Sequence, residues 1–288
     1  MKRLIFILIA TLAFAQNFTS LKQYSLKEGL SATRINDIVQ DRYGFLWLAT
    51  SNGLNRFNGY NFEVFTRENS GLQSDEINSL IIDANDCLWI ASDEGIDRFD
   101  LNSGDFIAVD SVLIGIENIT DIALHNENLL IISLDKLYRY RVDLQELTEI
   151  ETNSLSKYRN AFIDSKGEIW ISSSTGLVHL DTDYSLTQYD RQQGLSSANI
   201  FAVTEDITAD IWIKSDAGID IFDRSANRFL NSSNKTKLFA TFPTDFANAL
   251  LTDQNKSLWL ASANDGLYQY DYSDNSFQKF HLDSKKEI

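Results

Sequence analysis

Asp41-Arg42-Tyr43-Gly44-Phe45-Leu46-Trp47-Leu48-Ala49-Thr50-Ser51-Asn52-Gly53-Leu54-Asn55-Arg56-Phe57 decides the fold, because its plan returns about every 42 residues along the chain. An Asp opens a short polar turn, an apolar-Trp pair follows, then a Gly with an apolar neighbour, then an aromatic. Five copies are built on Trp47, Trp89, Trp170, Trp212 and Trp259, and a sixth has Leu130 in place of Trp and Lys136 in place of Gly. Self-similarity at one fixed period means one supersecondary unit repeated, each copy needing its neighbours to bury its apolar face.

The first copy shows what that unit is. Ile35 to Asp41 and Phe45 to Thr50 are runs rich in β-branched and large apolar residues, joined by a turn holding Asp and Gly, which reads as a hairpin. Leu54 to Phe57 and Phe62 to Phe65 follow with a Gly59-Tyr60 turn between them, so each unit is four short strands. No unit carries an apolar stripe of period 3.6 ten residues long, which sets helical repeats aside. The prediction is an all-β chain, a β-propeller of four-stranded antiparallel blades with six repeat units visible. A polar insertion from Asn231 to Thr241 reads as a longer surface loop.

The repeated residues have structural roles on this reading. Trp, flanked by apolar neighbours in the second strand, is the wedge between adjacent blades rather than a ligand platform. Asp41, Asp83, Asp164, Asp206 and Asp253 sit where an Asp bonds its own turn backbone, and Gly53, Gly95, Gly176, Gly218 and Gly266 serve a tight turn of positive φ.

Residues 1–15 have the form of a secretory leader: basic Lys2-Arg3, an apolar Leu4 to Leu12 and a small-x-small Ala13-Phe14-Ala15. The expected organisation is a signal peptide at 1–15 and a propeller domain over 16–288. No later stretch approaches the 18 or so apolar residues of a spanning helix. The single cysteine, Cys87, cannot pair within the chain, so an exported product would rest on its core alone. Acidic side chains outnumber basic ones 41 to 25, a formal net charge of −16, and loss of the leader makes it more negative still. Such a surface repels nucleic acid and anionic lipid.

Topology narrows the search for a binding site. In a four-stranded meander, the lead-in to the innermost strand and the turn after the Trp strand emerge on one face. The lead-in positions are Arg34, Glu76, Lys157, Asn199 and Asp245; the turns add Asn52, Asp93, Glu94, Ser174, Asp216, Asn264 and Asp265. These differ from copy to copy while Trp, Asp and Gly recur, as asymmetric recognition on a rigid scaffold requires. They are the candidate ligand-binding residues.

No catalytic residues, metal site or cofactor are assigned. His125, His179 and His281 fall at unequal repeat positions and do not converge on that reading. Phosphate-cradling Gly loops and Gly-x-Ser-x-Gly elbows are absent. A Glu76 with Asp93 carboxylate pair has no spacing to recommend it, so a propeller enzyme acting on glycans, or a protein-interaction scaffold, is the alternative to a binding module.

Gly29-Leu30-Ser31 with the Asp41 to Phe57 stretch, and Gly194-Leu195-Ser196-Ser197 with Asp206, Ile211-Trp212-Ile213 and Gly218-Ile219-Asp220-Ile221-Phe222, resemble the two-component regulator propeller repeat. The resemblance runs from about Leu21 to Leu282. It implies a periplasmic sensor region, best known from Bacteroidetes, with seven-bladed rings, a membrane helix and a histidine kinase beyond the propellers. It implies an oligosaccharide or other small-molecule ligand, a homodimer through the exported region, and membrane attachment through segments this chain lacks. Six units against seven make the chain part of a larger ring or a six-bladed closure, the former being the expectation. Tyr24 and its neighbours read as an outer strand ahead of the first blade, and Phe277 to Leu282 as the sixth.

Overall fold

On the second strand of the first unit, Leu46 and Leu48 point to one face and Trp47 and Ala49 to the other, so the sheet must be covered on both sides. Stacking sheets radially does this. The computed structural model describes residues 22–152, 156–231, 247–262 and 266–279, and in it each repeat is one antiparallel four-stranded sheet with strands in sequence order.

From inner to outer strand, the first blade is Ile35–Gln40, Leu46–Thr50, Gly53–Phe57 and Phe62–Phe65. The second is Ile77–Ile82, Cys87–Ser92, Ile96–Asp100 and Asp105–Ile107; the third is Ile119–His125, Asn128–Ser133, Leu137–Arg141 and Glu146–Ile150. The fourth is Tyr158–Ile163, Ile169–Ser173, Leu177–Leu180 and Leu186–Tyr189. The fifth is Ile200–Glu205, Ile211–Ser215, Gly218–Asp223 and Arg228–Leu230, and the sixth is Ala247–Thr252, Leu258–Ser262, Gly266–Asp271 and Ser276–Lys279. The chain is a six-bladed β-propeller. Three short 3-10 turns are the described helices, none long or apolar enough to cross a membrane.

The tryptophans pack as wedges. Trp47 shares a cluster with Ile77, Leu88, Ile90 and Phe99 of the second blade, Trp89 with Ile119, Ile131 and Tyr140 of the third, and Trp212 with Leu258, Leu260 and Tyr270 of the sixth. Four of the indoles meet a ring near the end of the next blade's third strand, with centroids 5.1 Å apart for Trp47 and Phe99, 6.1 Å for Trp89 and Tyr140, 5.6 Å for Trp170 and Phe222, and 4.9 Å for Trp212 and Tyr270. Across its own sheet, Trp47 faces Arg56 and Trp89 faces Arg98, whose guanidiniums lie 5.4 and 4.5 Å from the indole centroids.

At the third blade this device is absent. Leu130 replaces Trp, Leu180 stands where the next blade would offer its ring, and the two share an aliphatic cluster with Ile132, Ile169 and Ile171. His125 also holds the place of the turn Asp, so the acceptor and the indole it would serve are missing together.

The recurring glycines adopt the expected backbone, φ being +99° at Gly53, +147° at Gly95, +142° at Gly176, +123° at Gly218 and +96° at Gly266. At Gly53 a Cβ would also stand 2.5 Å from the Phe65 carbonyl oxygen. Lys136, at the corresponding place in the third blade, is outside that region.

Two sequence expectations change. Tyr24 is not in a strand; its ring packs edge-on against Phe57 and Phe62 at 4.7 and 5.8 Å, closing over the first blade beside Leu30 and Leu48. The physical reason is that the first blade's apolar face takes the nearest large ring. The final outer strand is described over Ser276–Lys279, beginning one residue earlier than expected. The expected leader at 1–15, the insertion beyond Asn231 (232–241) and residues 280–282 lie outside the described residues.

Candidate functional site

Each innermost strand carries a β-bulge near its start, between Ile35 and Asp37, Ile77 and Ser79, Ile119 and Asp121, Tyr158 and Ala161, Ile200 and Ala202, and Ala247 and Ala249. The bulges turn polar side chains toward the neighbouring blade. Asn36 donates to the Ile77 carbonyl at 2.7 Å and Asn78 to the Ile119 carbonyl at 2.8 Å. Asp37 accepts the Leu80 amide at 2.8 Å, and Asp121 accepts the Ala161 amide at 2.8 Å and the Ser79 hydroxyl at 2.6 Å. Side chains of one blade thus bind backbone of the next around the channel wall, where a cavity of about 390 Å³ opens among Asn36, Asp37, Asn78, Ser79, Asp121 and Asn160. Burial pushes the Asp121 carboxyl up to about 7 against the opposing bonds from Ser79 and the Ala161 amide, and burial raises Asp37 as well.

The lead-ins and post-Trp turns meet on one face, as topology requires. The Gly53 amide donates to the Asp75 carbonyl at 2.6 Å, Asn118 to Asp93 at 2.7 Å, Ser174 to Lys157 at 3.1 Å and Asp216 to Asn199 at 3.3 Å. Side chains join them. Asn52 donates to the Ser31 carbonyl at 3.2 Å, Ser74 to Asp93 at 2.8 Å, and Asn199 to Asp216 at 3.2 Å, while the Lys157 amide donates to the Ser174 hydroxyl at 3.1 Å. Glu94 pairs with Arg67 at 3.1 Å. Glu76, Asp93, Glu94 and Lys157 are exposed there, and Arg34 is exposed one residue before its strand. Asp245, Asn264 and Asp265 lie outside the described residues.

Two groups were passed over in the sequence. Asn55, Asp97 and Asp220 follow the recurring Gly by two positions and are buried, and they hold the lead-ins: the Ser31 amide reaches Asn55 at 2.9 Å, the Gln73 amide reaches Asp97 at 3.0 Å, and the Ser196 hydroxyl reaches Asp220 at 2.7 Å. Burial raises the pKa of both Asp97 and Asp220. The signal was available as a repeated Gly-apolar-Asn/Asp.

The second group gives the face a charge gradient. Phe201, 37% exposed on the innermost strand of the fifth blade, has Arg159 at 4.9 Å and Lys214 at 5.8 Å from its ring. Arg159 also donates to Asn199 at 2.8 Å. Burial depresses the pKa of both cations, with Asp216 opposing. Carboxylates crowd the second blade's side through Asp75, Glu76, Asp93 and Glu94, while Lys157, Arg159 and Lys214 supply the fourth and fifth. Nothing in strand periodicity singles out Phe201, Arg159 or Lys214, which join the lead-in candidate Lys157.

The opposite edge is structural. Asp41, Asp83, Asp164, Asp206 and Asp253 each use one oxygen for two turn amides and the other for the indole N–H six residues on, at 2.7 to 2.9 Å. Between the fourth and fifth blades Arg224 adds ion pairs to Asp164, to Glu168 at 2.8 Å and to Glu205 at 3.7 Å. His179 stacks on Trp170 with centroids 4.0 Å apart and touches Glu168 at 3.3 Å, while His125 packs against Gly167. Among the described residues no group of three or more His, Cys, Asp or Glu is placed to hold a metal ion.

These features define a class: a six-bladed propeller with structural bonds at one edge and varied polar loops at the other. Residues 29–52 match the family described as Two component regulator propeller. Histidine kinase P4 of Formosa agariphila is 38% identical over 60 residues, which is 21% of this chain and 4% of that protein.

Among solved structures, the extracellular domain of BT3049 from B. thetaiotaomicron, described as a hybrid two component system, superposes with a TM-score of 0.73 at 20% identity over 89% of this chain and 36% of its own. That of BT4673 gives 0.72 at 20% identity over 90% and 34%. Virginiamycin B lyase from Staphylococcus aureus gives 0.65 at 12% identity over 87% and 85%. At these identities the likeness is one of fold, and this chain spans about a third of each of the two extracellular domains.

Proposed function

We propose that this chain is the exported, ligand-binding propeller of a two-component signalling system, that it lies in the periplasm, and that it binds an oligosaccharide or similar nutrient without catalytic activity of its own. The match of the first repeat to the regulator propeller family supports the signalling role, and the fold shared with sensor ectodomains agrees with it. The observation that carries ligand binding is the exposed Phe201 ring between Arg159 and Lys214, beside the bonded Asn199 and Asp216 pair. An apolar ring next to fixed donors and acceptors suits a sugar, whose faces are apolar and whose edges carry hydroxyls. Coupling to a kinase, and a homodimer that carries the signal, belong to the same proposal.

The test is calorimetric titration of the full chain, purified from the periplasm, with a panel of oligosaccharides, alongside product analysis of the same mixtures. Saturable binding without turnover, lost in Phe201→Ala, is the expected result. Released product would make it a propeller enzyme, and the absence of binding across the panel would overturn the ligand reading.

A further inference from the structure

The junction between the third and fourth blades differs from the other described junctions in a way that leaves a second site. An aliphatic cluster around Leu130 and Leu180 fills the place of the wedge indole and its partner ring, and a cleft of about 330 Å³ opens beside it at the outer rim. Ile150 and Leu186 give it apolar walls, and Thr148 and Glu149 come from the outer strand opposite Arg139 and Tyr138.

Arg139 occupies the place from which Arg56 and Arg98 address their tryptophans. With no indole to cover, its guanidinium lies 4.8 Å from the Tyr184 ring centroid. Unlike Arg56, which pairs with Glu63, Arg139 has no ion pair or side-chain hydrogen bond among the described residues, and neither does the Tyr184 hydroxyl. Glu149 does not answer it, being paired with Lys136 at 3.1 Å. A half-buried guanidinium without an anion is uncommon, because its desolvation is normally offset by a carboxylate.

Tyr184 is also held against its backbone preference. Its φ is +69°, in the third-to-outer turn where the other blades place Gly59, Gly104, Gln145, Asn227 and Asn275, all likewise at positive φ. A bulky aromatic there is disfavoured, and such strain is found where a side chain is needed for something other than the turn. Here the turn residue delivers a ring under Arg139.

We propose that this cleft is a binding site for a hydroxylated carboxylate, such as a sugar acid. The ligand's carboxylate takes the free face of Arg139, its carbon skeleton lies along Ile150 and Leu186, and its hydroxyls face Thr148, Glu149 and the Tyr184 hydroxyl. The two nearby carboxylates, Glu149 and Glu151, disfavour more highly charged phosphate esters. The site stands apart from the loop face and does not depend on it.

The test is calorimetric titration of the full chain with D-glucuronate, with D-glucose and acetate as controls. Saturable glucuronate binding is expected, with neither control binding comparably. Arg139→Gln should weaken it about tenfold or more, the change expected for one lost charged hydrogen bond. Tyr184→Phe, which keeps the ring's packing on the Leu130 and Leu180 cluster and removes only the hydroxyl, should weaken binding severalfold while its melting temperature stays close to that of the parent. No saturable binding, or binding that both variants leave intact, overturns the proposal. So does glucuronate binding that is lost in Phe201→Ala and kept in Arg139→Gln, which would place it on the loop face.

Discussion

The indole N–H of Trp212 donates to one oxygen of Asp206 at 2.8 Å, while the other oxygen takes the amides of Thr208 and Asp210 at 2.8 and 3.1 Å. One carboxylate therefore builds the turn and lets a polar edge be buried. Asp206→Ala should destabilise the protein by about 3 kcal/mol, since it orphans an indole N–H as well as turn amides. Combined with Trp212→Phe the losses should fall short of additive by about 1 kcal/mol, read from a double-mutant cycle in urea. Strict additivity would mean that the pair acts independently.

Arg224 gathers Asp164, Glu168 and Glu205 at the fourth and fifth blades. Burial pushes the Asp164 carboxyl up, and bonds from Trp170, Arg224 and the turn amides outweigh it, leaving the pKa below its ordinary value. A depressed carboxyl stabilises the fold above its unfolded pKa and loses that contribution as pH falls through the folded one. Arg224→Met should thus cost about 3 kcal/mol at pH 7 and less below pH about 4. Denaturation midpoints at the two pH values check this.

Asp121 has the opposite sign. Its carboxyl, raised to about 7, favours folding while protonated in both states at low pH, and that contribution is lost as pH rises through about 7. Asp121→Asn should flatten this part of the profile, so that the variant gains on the parent between pH 4 and pH 8. A gap that does not change with pH would refute the raised value. Asp37, raised in the same sense and bonded to the same Ser79, keeps a residual slope in the variant.

Glycines at one repeat position should not respond alike. Gly53→Ala must meet both a φ of +99° and a carbonyl oxygen 2.5 Å from the new Cβ, whereas Gly218→Ala meets a φ of +123° with nothing within 4 Å. Thermal melts should show both destabilised, by about 1 kcal/mol at Gly218 and clearly more at Gly53.

The fold could be read from the sequence because its period is carried by Trp, Asp and Gly, three residues with strong and distinct physical demands. The inter-blade role of Trp and the turn role of Asp were both legible. The bond joining them was not, since spacing along a chain does not say that two side chains cross a turn to meet. Candidate loop residues came from topology, and Asn52, Asp93, Lys157, Ser174, Asn199 and Asp216 do share a face. Phe201 and Arg159 escaped because their value lies in the bulge that turns the strand start toward a neighbouring blade. Tyr24 was misread because a segment ahead of the first innermost strand stands where a ring could take its last outer strand, while the structure uses only its ring.

Innermost strands of six residues in the five blades that carry the Asp-Trp pair separate that edge from the loop face by about 20 Å. Substitutions that reshape recognition therefore leave the Asp-Trp bonds at the far edge intact. Loops could be exchanged between blades, or replaced by designed ones, as interchangeable parts on a common chassis.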